Sequence, residues 1–471
     1  MNSKADTAAY SRQATTMERL FNRSPYSVVT MVARIRGEVT EAGLSDAVEK
    51  VQRRHTNLRV RIEDDEEHNP RFTTQGVSAI PIEVVPRESA DHWIEVVRDV
   101  AEIPFDFEIR PAIRFVLVQS SEVSELAVVC HHILCDGMSL AYLVRDLLEH
   151  LGDPAREVSV LPDPSPVGPN TMPSGLSLNP VIRYFIRRMN RKWEADPVFF
   201  DQHDYESLAA AYWQTYDHQL LTIELSEAET TELVERCRKE QVTVNTALTA
   251  AFAAAQAVVL DEERYEPELG VAADLRDRLR PPVGEVMGFY AGIATDRYQH
   301  NPKVGFWDNA RELHASLQGR FSDASLFKEP LTWSFLSPSI IDAINFKKLG
   351  KLVPEDGAGS GKLSEFSRRK DVVLGILKRD NLESPDRVVM GTAMTNLGRL
   401  DFATTYGHIE LERLIMKPGG AFPLANVNMV VGAVTAAGRL SLTVEHVMSN
   451  IDTEAMAAIR EASLGYLLAG D

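Results

Sequence analysis

This chain of 471 residues has few cysteines, no long apolar run and fewer basic than acidic residues. Its cysteines are only three, Cys130, Cys135 and Cys237. An odd number of this size predicts free thiols rather than a disulfide framework, and a reducing cytoplasmic compartment. Residues 1–23 are polar and lack the apolar segment of a secretory signal. No segment has the roughly 20 apolar residues of a membrane-spanning helix, so we expect at most peripheral membrane contact.

Acidic residues outnumber basic ones by 68 to 50, for a formal net charge of −18. A nucleic-acid partner would require a basic surface, so we expect none. The glycine-rich patterns GxxxxGK[ST] and GxGxxG are also missing, which argues against a nucleotide-binding fold. The basic residues concentrate in two segments: a first cluster of Arg183, Arg187, Arg188, Arg191 and Lys192, and a second cluster of Lys347, Lys348, Lys351, Lys362, Arg368, Arg369 and Lys370.

The most informative segment is HHILCDG at residues 131–137. It follows the apolar run 126–130, which predicts a strand buried on both faces. Leucine and valine then recur at helical spacing through residues 140–151, which predicts a helix. Successive strand residues point to opposite faces, so only one of His131 and His132 can face a given cavity.

The HHxxxDG pattern resembles the active-site signature of the superfamily of condensation domains and CoA-dependent acyltransferases. Its members include chloramphenicol acetyltransferase, peptide-forming condensation domains, plant BAHD enzymes and mycobacterial polyketide-associated acyltransferases. Further segments resemble the family in the expected order: QRRHTNLR at 52–59, TVNTAL at 243–248, ADLR at 273–276, MGFYAG at 287–292 and MTNLG at 394–398. The plant-type DFGWG motif does not follow Thr395, which favours the bacterial standalone branch.

The resemblance implies a mixed α/β fold, a pseudo-dimer of two chloramphenicol-acetyltransferase-like sandwiches with an active-site channel between them. Residues 152–175 are rich in Pro, Ser and Gly and predict a linker. We therefore assign residues 1–175 to the half that carries HHxxxDG and residues 176–471 to the second half.

Periodicity and turn residues predict the main elements of both halves. Helices are expected at 41–55, 93–103, 226–240 and 245–260, the last one buried between layers. Strands are expected at 28–35, 58–62, 112–118, 269–275, 286–294, 388–396, 426–434 and 440–447. Residues 347–370 show little periodicity and predict a mobile loop.

The resemblance also implies roles for residues near the motif. His132 would act as the general base on the acceptor, and His131 would be structural. Asp136 would turn away from His132 and pair with Arg276 of the second half, which holds the loop. Gly137, without a side chain, would keep the channel open beside the histidine.

Two polar residues on the predicted strand 388–396, Thr395 and Asn396, are candidates to donate hydrogen bonds to the developing oxyanion. A metal site is disfavoured, because adjacent histidines on a strand diverge. A nucleophilic Cys135 is disfavoured as well, because a cysteine beside a core strand is usually inert packing. We expect no metal and no tightly bound cofactor.

The predicted function is acyl transfer from a thioester, either acyl-CoA or a phosphopantetheine-linked acyl carrier protein, to an alcohol or amine. A monomeric, standalone ester-forming enzyme is favoured, because no carrier or adenylation domain accompanies the motif. An amide-forming condensation enzyme and a catalytically silent carrier-docking module are the alternatives. The segment 182–193 sets apolar residues opposite the first basic cluster, which predicts either an ordinary packed helix or a docking face for a membrane or carrier protein.

Overall fold

The computed structural model describes residues 9–354, 360–380, 382–419 and 426–468. The first part of the chain forms β1 (Ser11–Gln13), α1 (Thr16–Arg19), β2 (Val28–Arg36), α2 (Glu41–Arg54), β3 (Arg61–Asp64), β4 (Pro70–Thr73), β5 (Ile82–Pro86), α3 (His92–Glu102), β6 (Ile113–Gln119), β7 (Val123–His131) and α4 (Gly137–Gly152). The segment 153–179 then carries no helix or strand, in keeping with the predicted linker.

The remainder forms α5 (Pro180–Glu194), α6 (Gln202–Thr215), β8 (His218–Glu224), α7 (Glu227–Lys239), α8 (Val244–Val259), β9 (Glu268–Asp274), β10 (Ala291–Arg297), α9 (Phe306–Arg320), α10 (Asp323–Leu326), α11 (Lys328–Trp333), α12 (Pro338–Leu349), α13 (Ser360–Arg368), α14 (Val372–Arg379), β11 (Val388–Arg399), β12 (Thr405–Tyr406), β13 (Ile409–Lys417), β14 (Asn426–Ala436), β15 (Arg439–Val447) and α15 (Thr453–Leu468). Short 3₁₀ turns occur at Thr56–Arg59, Arg276–Arg278 and Gly350–Leu352.

Two six-stranded mixed sheets form the centres of the two halves. The first has the order β12-β13-β2-β7-β6-β5, and the second has the order β10-β9-β11-β14-β15-β8. Helix α4 packs on β2 and α2 in the first half, while α8 packs on β11, α9 and α15 in the second. The predicted mixed α/β class and the paired sandwich architecture are therefore confirmed.

One strand crosses from the second half of the chain into the first sheet. β13 pairs antiparallel with β2, with Leu414 opposite Ala33 and Lys417 opposite Thr30. It also contacts β14 and β15 of the second sheet. Residues 405–417 thus complete the sheet of the other half, an exchange that the boundary drawn at residue 175 does not include.

Helix α8 is buried along most of its length, as its alanine-rich composition predicts. Alanine side chains let the helix lie close to β11 on one side and to α15 on the other. Within the described residues, no single helix is long and apolar enough to cross a membrane, although α7 and α8 together satisfy both criteria as a pair bent by 96°.

Two predicted strands begin later than expected. Residues 56–59 form a 3₁₀ turn, and β3 starts only at Arg61. The strand expected at 286–294 begins at Ala291. The backbone N–H groups of Gly288 and Tyr290 donate to the side chains of Ser139 and Asp136 instead of to a neighbouring strand.

The loop predicted at 347–370 is wrong for most of its length. Helix α12 continues through Leu349, a 3₁₀ turn follows, and α13 begins at residue 360, while residues 355–359 lie outside the described residues. Lys347 is buried and donates to the Phe366 carbonyl and to Asp371, at 2.6 and 3.0 Å. Lys348 is buried too, and burial lowers its pKa to about 8. These two lysines are therefore not available to bind a phosphate or an acidic protein at the surface.

A buried carboxylate joins α2 to α4. Asp146 accepts hydrogen bonds from Arg54 Nε at 2.6 Å, His55 Nε2 at 2.9 Å and Arg145 Nη2 at 2.7 Å. Glu285, from the second half, binds both arginines. Burial alone would raise the pKa of Asp146, but these hydrogen bonds and charges lower it to about 2. The network therefore favours the ionised carboxylate and fastens the two halves together.

We expect Asp146→Asn to lower the free energy of unfolding at pH 7 by about 2–3 kcal/mol, since one pKa unit corresponds to about 1.4 kcal/mol. A lowered pKa contributes stability above the unfolded-state value near 4, and this contribution is lost as the pH falls toward 2. Urea unfolding at several pH values checks this, with Asp99→Asn on the exposed side of α3 as control. A stability difference that stays constant from pH 7 to pH 2.5 would contradict the assignment.

Candidate active site

His131 is the last residue of β7 and belongs to the core. Its Nε2 donates to the Ser24 carbonyl at 2.9 Å, and its ring lies edge-on to Phe107 with centroids 5.0 Å apart. Burial lowers its pKa to about 3, so the ring is neutral at physiological pH. The structure thus satisfies the polar atoms of His131 inside the first half, away from any cavity.

His132 follows directly and points the other way. Its backbone N–H donates to the Ser27 carbonyl at 2.9 Å, and its Nδ1 lies 3.1 Å from the Cys135 carbonyl oxygen. A carbonyl oxygen can only accept, so Nδ1 carries the ring proton and Nε2 retains the lone pair. The rings of Phe21 and Phe289 lie 5.2 and 5.7 Å from the imidazole. The ring is therefore fixed in the tautomer that a general base requires.

The electrostatic surroundings of His132 favour its neutral form. Burial lowers its pKa below the usual histidine value, and this effect exceeds the opposing influence of the Cys135 carbonyl, the Asp136 charge and the Pro418 carbonyl. At neutral pH the imidazole is consequently uncharged, with its proton on Nδ1, and Nε2 is able to accept a second proton.

A cavity of about 340 Å³ lies between the halves and has His132 in its wall. Its volume is in the range of small-molecule sites, and its walls are mainly apolar. Residues of the first half and of the second half both line it, among them Met17, Leu20, Phe21, Ser27, Val29, Ala272, Phe289, Ile293, Leu326, Trp333, Met390, Thr395, Met416, Pro418 and Val430. His132 thus lies in the wall of a mainly apolar cavity between the halves, to which Glu329 and Asp380 also contribute.

Asp136 forms a two-point ion pair with Arg276 across the halves. The guanidinium donates from Nη1 to Oδ2 and from Nη2 to Oδ1, both at 2.8 Å. The two side chains are nearly inaccessible to solvent, at 6 and 4% exposure. Asp136 also caps α4, because its Oδ1 accepts from the backbone N–H of Ser139 at 2.8 Å. The aspartate beside the histidines therefore holds the loop and does not orient the His132 ring.

Two further residues complete this pair: Ser139, which the sequence patterns did not single out, and Tyr290, which lies in the segment 287–292 that resembles the family. Ser139 Oγ accepts from Arg276 Nη2 at 2.8 Å, and the Tyr290 backbone N–H donates to Asp136 Oδ2 at 2.9 Å. Burial would raise the pKa of Asp136, but the Arg276 charge and these hydrogen bonds lower it overall. The position of Ser139, three residues after a capping aspartate, was a usable signal for its place in the network.

Asn57 is a second residue without an assigned role that joins the halves. Its Nδ2 donates to the Leu134 carbonyl in the motif loop at 2.9 Å and to the Met287 carbonyl of the second half at 3.1 Å. Asn57 lies inside the segment 52–59 that resembles the family. The sequence therefore indicated the importance of this segment, but it did not reveal the contacts of Asn57.

The predicted oxyanion donors separate in the structure. Thr395 lines the cavity with His132, whereas Asn396, of the described residues, is not part of its wall. The Asn396 Oδ1 instead accepts from the Gly398 backbone N–H at 2.8 Å. Successive strand residues face opposite sides of β11, which explains why only one of the two side chains lies in this cavity.

Gly137 lies where a second cavity approaches the first. A Cβ atom at Gly137 would lie 2.9 Å from Met416 Sδ and 3.0 Å from Leu397 Cδ2, so even a methyl group would displace both side chains. Gly137 and Met416 line the first cavity, while Leu397 lines a second one of about 430 Å³. The second cavity is lined by Met138, Tyr142, Arg145, Glu149, Leu397, Arg399, Leu400, Asp401, Phe402, Ala403 and Tyr406. Met416 of the first cavity and Leu397 of the second thus lie close together beside Gly137.

The rival site chemistries find no support in this geometry. Among the described residues, no group of three histidine, cysteine, aspartate or glutamate side chains is placed to hold a metal ion. Cys135 is fully buried and lies 3.7 Å from the His131 carbonyl, and burial raises the pKa of its thiol well above the usual value. A protonated, inaccessible thiol is a poor nucleophile.

We expect Asp136→Ala to lower the free energy of unfolding by about 3 kcal/mol, because it leaves the Arg276 charge buried without its main partner. This loss of stability is at the low end of the range for breaking a buried ion pair. The more exposed Asp274 remains 3.4 Å from Arg276 and still offsets part of its charge. Asp99→Ala, which removes an exposed carboxylate 3.5 Å from Arg98, should change stability by less than about 1 kcal/mol. Chemical denaturation measures both. Equal losses in the two variants would show that the cross-half pair contributes nothing of its own.

Two family models match separate parts of the chain. The Condensation domain model matches residues 8–153, and the model for the phthiocerol/phthiodiolone dimycocerosyl transferase C-terminus matches residues 218–326. Nonribosomal peptide synthetase agiA of Aspergillus flavus is 28% identical over 136 residues, which are 28% of this chain and 2% of that protein. The chain thus spans only a small fraction of the length of this relative.

Solved structures share the fold over nearly the whole chain. Polyketide synthase associated protein 5 of Mycobacterium tuberculosis superposes with a TM-score of 0.58 at 17% identity and covers 98% of both chains. The TRI3 trichothecene 15-O-acetyltransferase of Fusarium sporotrichioides superposes with a TM-score of 0.64 at 11% identity, over 100% of this chain and 97% of its own. The two family models and the shared fold thus match the superfamily of condensation domains and CoA-dependent acyltransferases.

Proposed function

We propose that this protein transfers an acyl group from a thioester to the hydroxyl group of a small apolar acceptor, with His132 as the general base. The observation that carries the proposal is the state of His132. Its Nδ1 proton is held by the Cys135 carbonyl, its pKa is lowered, and it forms part of the wall of an apolar cavity between the halves. A neutral imidazole in such a place is suited to accept a proton from a bound alcohol.

The proposed reaction proceeds through a tetrahedral intermediate. His132 Nε2 takes the hydroxyl proton as the acceptor oxygen attacks the thioester carbonyl carbon, and the carbonyl electrons move to oxygen. When the intermediate collapses, the C–O bond of the ester remains, the C–S bond breaks, and the imidazolium returns its proton to the leaving thiolate. The products are an ester and a free thiol, and no other reactant is required.

Thr395 is the proposed donor to the oxyanion. Its hydroxyl belongs to a side chain that lines the same cavity as His132, and a hydrogen bond in an apolar enclosure stabilises developing charge more than it does in water. Asn396 does not line this cavity, and its Oδ1 accepts a hydrogen bond from the Gly398 backbone N–H. Its proposed role is to stabilise the end of β11.

The donor's flexible arm is proposed to enter from the second cavity. The carbonyl must come to a buried strand end, which a folded carrier surface cannot do without a long arm, and phosphopantetheine supplies one in both CoA and carrier proteins. Support for this entrance comes from Leu397, which lines the second cavity, and Met416, which lines the first, because both lie beside Gly137. An arm that displaces Leu397 would bring its thioester beside His132.

The principal alternative is transfer to an amine, with formation of an amide. Similarity over 136 residues to a nonribosomal peptide synthetase supports it. The match of residues 218–326 to a model named for a transferase supports the ester. A silent docking role is less well supported, because it gives no reason for the oriented base in an apolar cavity.

We expect the wild-type protein to acylate at least one alcohol in a pool of alcohols and amines when offered acyl-CoA and acyl-carrier donors, as judged by product mass. His132→Ala should lower the rate by at least about a hundredfold, the usual contribution of a general base, with unchanged thermal unfolding. His408→Ala, at an exposed histidine on the far side of the first sheet, serves as control. Full turnover by folded His132→Ala would refute the base role, and use of oxygen esters alone would refute the thioester donor.

The pH dependence of kcat/KM should show one acid limb from His132. Because burial lowers the pKa of this group, the limb is expected below the ordinary histidine value of about 6.5, with a plateau at pH 7. Activity is full above the His132 pKa and is lost as the pH falls through it, since only the neutral ring accepts a proton. An acid limb centred well above pH 7 would indicate a different catalytic base.

A further inference from the structure

Helix α5 presents large apolar side chains to solvent at its beginning. Val181, Ile182, Tyr184 and Phe185 are 61, 42, 56 and 57% exposed. They are four of the nine large apolar side chains that are exposed in the described part of the chain. Single exposed apolar side chains are common on protein surfaces, but four of them within one and a half helical turns indicate an interaction surface.

Further along α5, the same outward face carries a row of basic side chains. Arg187, Arg188, Arg191 and Lys192 are exposed, and no described residue forms an ion pair with any of them. Residues three or four apart lie on the same side of a helix. The apolar residues and the cations of α5 therefore share one side, which carries Val181, Tyr184, Phe185, Arg188, Arg191 and Lys192. The face is therefore apolar and aromatic near the helix start and basic near its end.

The opposite face anchors α5 to the body of the protein. Ile186 and Trp193 are buried, and Trp193 Nε1 donates to Ser339 Oγ at 2.9 Å. Asn190 Nδ2 donates to the Phe335 carbonyl at 2.9 Å. With this face fixed against the protein, the outward apolar residues cannot turn inward. An ordinary surface helix buries its apolar residues and exposes its charged ones. This description fits Ile186 and Trp193, but it does not explain the exposed apolar residues at the start of α5.

We propose that the outward face of α5 docks on an anionic lipid bilayer, with the helix lying in the plane of the interface. The aliphatic and aromatic side chains would enter the headgroup boundary, and the four cations would contact lipid phosphates. The remainder of this strongly acidic chain would be repelled by the same surface, so the basic face would set the orientation of the protein. An acidic protein partner explains the cations, but it gives no account of the protruding apolar side chains beside them.

The anchored face of α5 is held by a segment that also reaches the candidate active site. Phe335 follows α11, Ser339 lies in α12, and Trp333 of α11 lines the first cavity. The docking proposal stands without the proposed reaction, because it concerns binding alone.

The test is co-sedimentation of the full-length protein with vesicles of phosphatidylcholine containing roughly a quarter of phosphatidylglycerol, and with phosphatidylcholine alone. Arg187→Glu/Arg188→Glu/Arg191→Glu removes the cationic contribution, and Tyr184→Ser/Phe185→Ser removes the apolar one. The matched control is Arg98→Glu/Arg238→Glu/Lys239→Glu, three exposed cations on α3 and α7. Circular dichroism and thermal unfolding verify that every variant is folded.

We expect the wild type and the control to bind the anionic vesicles and to bind neutral ones far less. The triple α5 charge reversal should lower the partition coefficient by roughly a hundredfold and the double serine variant by roughly tenfold, with weaker wild-type binding at high salt. Equal vesicle binding by the wild type and both α5 variants would overturn the proposal. The proposal would also be overturned if the wild type did not bind vesicles. This holds even if the same residues were found to bind an acidic carrier protein or a second copy of this chain.

Discussion

The ion pair between Asp136 and Arg276 is the interaction on which the site depends. It is buried, makes two hydrogen bonds across the halves, and also fixes the first turn of α4 and the backbone of Tyr290. The loop that presents His132 and the segment that brings Phe289 to the cavity are thus held by one carboxylate. A site assembled at an interface between two sheets requires such a fastening, because small relative movements of the halves would separate His132 from the opposite wall.

This use of Asp136 determines how His132 is oriented. In many hydrolases a carboxylate holds the basic histidine, but here the nearest carboxylate is engaged by Arg276 and a backbone carbonyl holds Nδ1 instead. A carbonyl fixes the tautomer without adding a full negative charge beside the ring. Burial therefore decides the outcome, and the pKa of His132 is lowered rather than raised. The arrangement favours an uncharged imidazole in the wall of a mainly apolar cavity.

Sequence patterns predicted the parts of the fold that are dictated locally. The continuous apolar runs of β7, β14 and β15 and the periodic helices α2 and α8 lie close to where they were expected. The segment 347–370 was misread, because lysines that look solvated in a sequence are buried against partners such as Asp371. For the site, the motif located His132 and Gly137, while the separation of Thr395 from Asn396 and the roles of Ser139 and Asn57 depend on contacts distant in sequence. Local pattern carries no information on such contacts.

The exchanged strand β13 has a consequence for how the chain is made. During synthesis β2, β7 and β6 emerge from the ribosome long before residues 409–417, so one edge of β2 has no partner for much of translation. An open edge of this length, made largely of apolar residues, can pair with the strands of other nascent chains. The first half is accordingly expected to rely on chaperones until the returning strand arrives, and a fragment that ends within the linker should aggregate where the longer chain does not.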